Sequence, residues 1–81
     1  MLFHVTIMLP GRNGQATQFV IADVEEARST VEFTEMLNSD DHVVVTEMNT
    51  DQETKRLVPG DKISLNQRYI AKVSPYRERR F

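Results

Sequence analysis

One stretch of this 81-residue chain is rich in carboxylates, side chains that can take part in acid–base chemistry. Ten of its 12 acidic residues lie between positions 21 and 54, where Arg28 is the single basic residue. Two carboxylates could serve as general acid and base only if burial or close contact separated their pKa values. An acidic surface instead suits a partner protein with a basic surface, the alternative being an ordinary solvated face. The predicted binding residues are Glu25, Glu26, Glu32, Glu35, Asp40 and Asp41.

The last fifteen residues have the opposite charge, with five basic residues against Glu78. Arginines interleaved with aromatic residues suit phosphate pairing and base stacking on single-stranded nucleic acid. The residues of this alternative site are Arg68, Lys72, Tyr76, Arg77, Arg79, Arg80 and Phe81. A net charge of −2 argues against a dedicated nucleic-acid-binding protein. A solvated tail, or a tail docked on the chain's own acidic surface, is equally compatible with this composition.

The two histidines are the best remaining metal ligands in a chain without cysteine. His4 and His42 would have to converge with carboxylates such as Asp40 and Asp41. Neither histidine occurs at a ligand spacing such as His-x₃-His. The sequence therefore predicts no metal site and no cofactor.

Nucleophile and phosphate motifs are equally weak. No serine occurs in a Gly-x-Ser-x-Gly sequence, which positions the nucleophile of many hydrolases. Gly11 and Gly14 precede a predicted strand, whereas a phosphate-binding loop precedes the N-terminus of a helix. We therefore expect no catalytic residues and no enzymatic activity.

Length and composition favour one small domain. Residues 1–75 are predicted to fold together, with 76–81 as a basic aromatic tail. The absence of cysteine fits a reducing compartment, and the apolar runs are far shorter than the roughly 20 residues that span a bilayer. We expect a cytoplasmic protein that binds no membrane.

Two strands joined by a tight turn are predicted at the beginning of the chain. Residues 2–9 alternate between apolar and other side chains with period two, as in a strand with one face on the core. Asn13-Gly14 suits the positive φ of a hairpin turn, and the second strand is predicted over about Ala16 to Ala22.

A helix is predicted from Val24, with Asp23 as N-cap and Glu26 completing a capping box. At 100° per residue one arc is expected to face the core, and it contains Ala27, Thr30, Val31, Thr34 and Leu37. The β-branched residues between Ser29 and Phe33 leave a strand, and with it an all-β small barrel, as an alternative.

The second half of the chain is predicted to be mainly strand. His42 to Met48 is expected to be a central strand covered at least partly on both faces, and Pro59-Gly60 a turn. Residues 63–73 form either one long bent strand or two strands that turn near Asn66-Gln67. The predicted fold is α+β in the order β-β-α-β-β-β, with four to five mainly antiparallel strands and one helix on one face.

Together these patterns indicate a small non-catalytic regulatory or inhibitory protein that binds a partner protein through its acidic surface. The alternative is a nucleic-acid-binding accessory protein that uses the basic C-terminal segment. Composition leaves homo-oligomerisation open in either case.

Overall fold

The computed structural model describes residues 1–11 and 14–77, which form one five-stranded sheet and one α-helix. The elements are β1 Leu2–Gly11, β2 Gly14–Asp23, α1 Thr30–Ser39, β3 His42–Thr50, β4 Leu57–Asn66, a 3₁₀ turn Gln67–Tyr69 and β5 Ile70–Pro75. All neighbouring strands are antiparallel, in the order β4-β3-β2-β1-β5. The predicted class and element order are confirmed, with residues 30–39 forming a helix and not the strand of the all-β alternative.

The β1–β2 hairpin follows the alternation that predicted it. Phe3 and Val5 are buried, and the two strands stay paired as far as Gly11 opposite Gly14. Both strands extend beyond their predicted ends. Gly14 has φ +110°, a conformation that side chains with a Cβ rarely adopt. The two residues between the strands, 12 and 13, lie outside the described ranges.

The N-terminus of α1 differs from the prediction. Ser29 is the N-cap, and its Oγ accepts a hydrogen bond from the backbone N–H of Glu32 at 3.1 Å. Glu32 Oε2 in turn accepts one from the backbone N–H of Arg28 at 3.1 Å. The prediction that Asp23 caps the helix and Glu26 completes the box is wrong, because pairing with β1 continues through Asp23 and a turn follows.

The core-facing side of α1 also differs from the predicted arc. Phe33 and Leu37 are its buried residues, and the Phe33 ring packs on Phe3 with ring centroids 4.8 Å apart. Val31, predicted to face the core, is 66% exposed, and Thr34 is exposed as well. The rotation of the helix follows Phe33 because an aromatic ring buries the largest apolar area, and the predicted arc omitted that residue.

β3 has one buried face. Val43 and Val45 point into the core, whereas Val44 between them is 65% exposed. The prediction that this strand is covered at least partly on both faces is wrong at Val44, because α1 packs on the other side of the sheet. The core of the described residues consists of Phe3, Val5, Ala22, Val24, Ala27, Phe33, Leu37, Val43, Val45 and Leu65.

Pro59-Gly60 lies inside β4, so the predicted turn there is wrong. Pro59 pairs with Met48 where the register between β3 and β4 shifts. The chain reverses earlier, where Asp51 Oδ1 accepts the backbone N–H of Glu53 at 2.8 Å and Lys55 has φ +61°. The polar side chain of Asp51 thus supplies the turn chemistry that Pro and Gly were expected to provide.

β4 and β5 form the two edges of the sheet, yet only the 3₁₀ turn Gln67–Tyr69 joins them. Three residues reach about 10 Å, whereas the edges of a flat five-stranded sheet lie roughly 19 Å apart. The sheet is therefore strongly curved, and Leu9 of β1 lines the same narrow cleft as Leu65 of β4. Of the two alternatives for residues 63–73, two strands that turn near Asn66-Gln67 are confirmed.

Candidate functional site

The six carboxylates of the predicted binding surface are all exposed and are grouped along α1. Two lie in the turn before the helix, two on the helix, and two directly after it. A helix of ten residues is about 15 Å long, so the pair before α1 and the pair after it lie near its two ends. We call this set, Glu25, Glu26, Glu32, Glu35, Asp40 and Asp41, the acidic surface.

The two carboxylates on the helix, Glu32 and Glu35, lie near an exposed apolar side chain. Val31 lies next to Glu32 in sequence and one helical turn from Glu35, on the side of α1 opposite the buried Phe33. The carboxylate of Glu32 has a structural contact because it accepts the backbone N–H of Arg28. Glu35 makes no side-chain hydrogen bond among the described residues and is available to a partner.

The turn pair lies beside a second exposed valine. Glu25 and Glu26 line a small recess of about 80 Å³ together with Val44 of β3 and Lys62 of β4. Neither carboxylate lies within 4.0 Å of the Lys62 amine. Apolar side chains of the outer sheet face and carboxylates of the turn are therefore presented together.

Asp40 and Asp41 follow the C-terminus of α1. The backbone N–H of Asp40 donates to the Met36 carbonyl at 3.1 Å, which places this carboxylate at the negative end of the helix dipole. The last turn of α1 contains no basic residue. Such a position is electrostatically unfavourable by about 0.3–1 kcal/mol per charge when exposed.

Asp41 also belongs to an open polar cleft of about 510 Å³ at this end of the sheet. The cleft is lined by Asp41, His42, Asn66, Gln67 and Arg68. Gln67 connects the cleft to α1, because its Nε2 donates a hydrogen bond to Asn38 Oδ1 at 2.7 Å. The backbone N–H of Arg68 donates to Asn66 Oδ1 at 3.0 Å. The fold thus brings Asp41 of the acidic surface close to Arg68 of the alternative basic site.

Ion pairing leaves the acidic surface uncompensated within residues 1–11 and 14–77. The single ion pair found there joins the N-terminal amine of Met1 to Asp23 Oδ1 at 3.6 Å. No cation of the described chain therefore lies within 4.0 Å of any of the six carboxylates. Their charges add to a local negative potential, which attracts basic groups and repels acidic ones.

The described residues of the alternative basic site are spread along β5. Arg68 lies in the polar cleft, and Lys72 is opposite Thr6 of β1. The Tyr76 ring packs on His4 with centroids 4.9 Å apart. Six residues of strand separate Arg68 from Tyr76 by roughly 20 Å. Arg77 is exposed, and Arg79, Arg80 and Phe81 lie outside the described residues.

One basic residue that lies near Tyr76 was not predicted as part of the basic site. Arg56, at the end of the β3–β4 turn, lines a recess of about 580 Å³ with Leu2, Leu57 and Tyr76. Arg56 is remote from Tyr76 in sequence, and no local pattern indicates their proximity. The Tyr76 ring, which lines this recess with Arg56, already contacts His4.

Among the described residues no buried side chain is polar or charged, and no three His, Asp or Glu residues lie close enough to hold a metal ion. Within the same residues, no helix has the length and apolar composition needed to cross a membrane.

Two exposed residues of the site were not found from the sequence. Val31 was assigned to the core, and Val44 to a strand covered at least partly on both faces. The Ser29-x-x-Glu32 capping pair and the i, i+4 spacing of Phe33 and Leu37 were the signals that could have placed Val31 on the exposed side. Comparisons of the chain with protein-family models, with characterised proteins and with solved structures found no match.

Proposed function

We propose that this chain is a small non-catalytic binding protein that docks its acidic surface on a basic patch of a partner protein, and that it regulates or inhibits that partner. The observation that carries the proposal is the exposure of six carboxylates with no cation within 4.0 Å among the described residues. Self-repulsion within such a surface is relieved when a basic partner binds.

The exposed valines support a protein partner. Val31 and Val44 are each about two-thirds exposed and lie beside carboxylates on different faces of the molecule, so each gives a separate apolar contact next to negative charge. Protein interfaces obtain most of their affinity from desolvated apolar centres, while charges at the rim increase the association rate and select the partner. A carboxylate-rich surface without apolar contacts would supply only the second contribution.

The position of Asp40 and Asp41 also supports a role in binding. Carboxylates at the C-terminus of a helix oppose its dipole, so these residues lower the stability of the free protein. Residues that break a local stability rule without compensation are typical of functional sites. A cation of the partner would remove this unfavourable interaction.

We also propose that the chain is located in the cytoplasm. A chain free of cysteine suits the reducing cytoplasm, where the acidic surface would meet its partner.

The test is affinity capture from a lysate of the source cells, followed by mass spectrometry of the retained proteins. The binding variant is Glu26→Lys with Glu35→Lys, which leaves the capping carboxylate of Glu32 in place. The matched control is Glu53→Lys with Asp61→Lys, two exposed carboxylates on the β3–β4 hairpin that give the same change in net charge. We expect the control to retain the wild-type partner and the binding variant to lose at least about 90% of it, a tenfold change that corresponds to about 1.4 kcal/mol.

Nuclease treatment separates the two hypotheses for function. A partner held through the acidic surface survives the nuclease, whereas capture through the basic segment disappears with the nucleic acid. Equal loss in both charge variants would contradict the proposal, because it would show that only the total charge matters. Loss after nuclease alone would support the alternative with Arg68, Lys72 and Arg77.

A further inference from the structure

Seven of the ten residues of β2 have a free edge. β3 pairs only with Ile21, Ala22 and Asp23, whereas β1 pairs with β2 over its full length. Residues 14–20 therefore have no strand on the side away from β1 among the described residues. In an antiparallel strand every second residue directs its N–H and C=O to that side, so several backbone groups remain available for pairing.

This free edge carries no charge. Residues 13–22 contain no Asp, Glu, Lys, Arg or Pro. The outer edge of β4, by contrast, contains Pro59, Asp61 and Lys62, and β5 is only six residues long, with Lys72 in its middle and Pro75 at its end. Short length, proline and charge are the usual protections of a sheet edge against pairing with another chain, and residues 14–20 lack proline and charge.

The side chains on this edge are accessible. Ala16, Thr17, Gln18 and Phe19 are all exposed, and Phe19 is 79% exposed. Phe19 and Thr17 share the face opposite the buried Ala22, because side chains alternate along a strand. An aromatic side chain left this exposed contributes little to the stability of the free chain but offers a large apolar area to a neighbour.

We propose that two copies of this chain associate through residues 14–20 of β2, which pair antiparallel about a two-fold axis near Thr17 and continue the sheet from one copy into the other. A two-fold interface pairs the segment with itself, so a charged side chain on the axis would face the same charge, and one elsewhere would lose hydration at the interface. Residues 14–20 carry no charge and avoid both costs, whereas the edges of β4 and β5 contain charged residues.

The side-chain contacts of this pairing follow from the register. With the axis at Thr17, Gly14 faces Val20 of the other copy and the two Thr17 residues face each other. Phe19 then lies diagonally across from Thr17 of the other copy, a separation that aromatic side chains bridge. Formation of the dimer therefore covers the most exposed large apolar side chain of the described residues. The interface does not include the acidic surface, so this proposal and the proposed function can fail independently.

Disulfide trapping tests the geometry directly, because the chain has no native cysteine. Thr17→Cys should give a disulfide-linked dimer on mild oxidation, since directly opposite residues of antiparallel strands have Cβ atoms about 4.5–5.5 Å apart, near the separation a disulfide requires. Ala16→Cys and Gln18→Cys define the register, with cross-linking greatest at the axis. Ser64→Cys, exposed on β4, is the control and should stay monomeric. Equal yields at all four positions, or no dimer at residues 16–18, would overturn the proposal.

Charge insertion provides a second test without oxidation. Sedimentation over a range of concentrations should show a reversible dimer for the wild type, and Thr17→Lys should weaken it at least tenfold because the two lysines face each other. Ser64→Lys should leave the dimer unchanged, and circular dichroism should show that both variants fold. A wild-type chain that remains monomeric at all concentrations would overturn the proposal. So would a dimer that tolerates Thr17→Lys, or a monomer whose β2 edge binds an extended peptide from another protein.

Discussion

The two hairpins have strands of nearly equal length but very different surroundings. In the β1–β2 hairpin both strands have ten residues, residues 16–19 of β2 are exposed, and residues 14–20 have a free edge. In the β3–β4 hairpin the strands have nine and ten residues, and Val43, Val45 and Leu65 are buried. The outer strand β4 carries proline and charge, whereas residues 14–22 of β2 carry neither.

This difference shows that strand propensity and edge accessibility are separate properties of a sequence. Both hairpins form because their residues alternate and their turns suit the chain reversal. Only one of them is protected against a further strand, through Pro59, Asp61 and Lys62. We therefore expect substitutions in the β3–β4 hairpin to change mainly the stability of the fold. Substitutions in residues 14–20 of β2 should change mainly the association of two copies.

Val45→Asp should have the largest effect on folding. Val45 is only 3% exposed, and a carboxylate there would be buried without a partner. The whole domain is expected to be stable by about 4–12 kcal/mol, so the variant should unfold or aggregate. Thermal melting followed by circular dichroism measures this, with Val44→Asp as the control on the opposite face of the same strand. A control that melts as low as Val45→Asp would show that the outer face of β3 is covered after all.

Gly60→Ala should be the next most harmful change. A Cβ at this position would collide with the Asn49 amide and lie 2.9 Å from the backbone carbonyl of Glu47. Overpacking of this kind costs about 1–3 kcal/mol. Urea unfolding measures the loss, and Gly14→Ala is an instructive comparison because its Cβ meets nothing within 4 Å while its φ of +110° is unfavourable. A Gly60→Ala variant of wild-type stability would mean that β3 and β4 separate freely at their register shift.

The parts of the fold that depend on local pattern were predictable. Alternation over residues 2–9 and the Asn13-Gly14 pair identified the first hairpin, and the break near Asn66-Gln67 identified two strands. The rotation of α1 was predicted wrongly because the predicted arc omitted Phe33, although its i, i+4 spacing to Leu37 indicates the buried side; the contact of the Phe33 ring with Phe3, thirty positions away, is not visible in the local pattern. The extent of β2–β3 pairing is equally non-local, so the free edge cannot be recognised from the residues of β2 alone.

The candidate site likewise has features that follow from residue type and features that depend on the fold. Exposure of the six carboxylates follows from residue type, because charged side chains are almost never buried without a partner. The presence of Val31 and Val44 among them depends on helix rotation and on the single covered face of the sheet. The proximity of Asp41 to Arg68 requires the 3₁₀ turn to meet the end of α1, which no sequence spacing indicates.

Ser29→Ala should have an intermediate effect, in the segment that connects the two hairpins. Its Oγ satisfies the backbone N–H of Glu32, and loss of such a cap costs about 1 kcal/mol. Glu32→Gln is the milder companion, since the amide oxygen still accepts the backbone N–H of Arg28. Urea unfolding should rank the two in that order. The opposite ranking would show that the carboxylate, and not the hydroxyl, determines where α1 begins.

Asp23→Ala should have the smallest effect, although this residue was the N-cap predicted from the sequence. Its carboxylate is 3.6 Å from the N-terminal amine of Met1 and its side chain is 37% exposed. Exposed ion pairs contribute about 0–1 kcal/mol and are screened by salt. We expect a loss below about 0.5 kcal/mol that disappears in high salt, whereas the loss for Ser29→Ala should persist, because a neutral hydroxyl makes that bond. Parallel urea titrations at low and high salt measure both. A loss of about 1 kcal/mol for Asp23→Ala at high salt would show that this side chain, and not Ser29, holds the start of the helix.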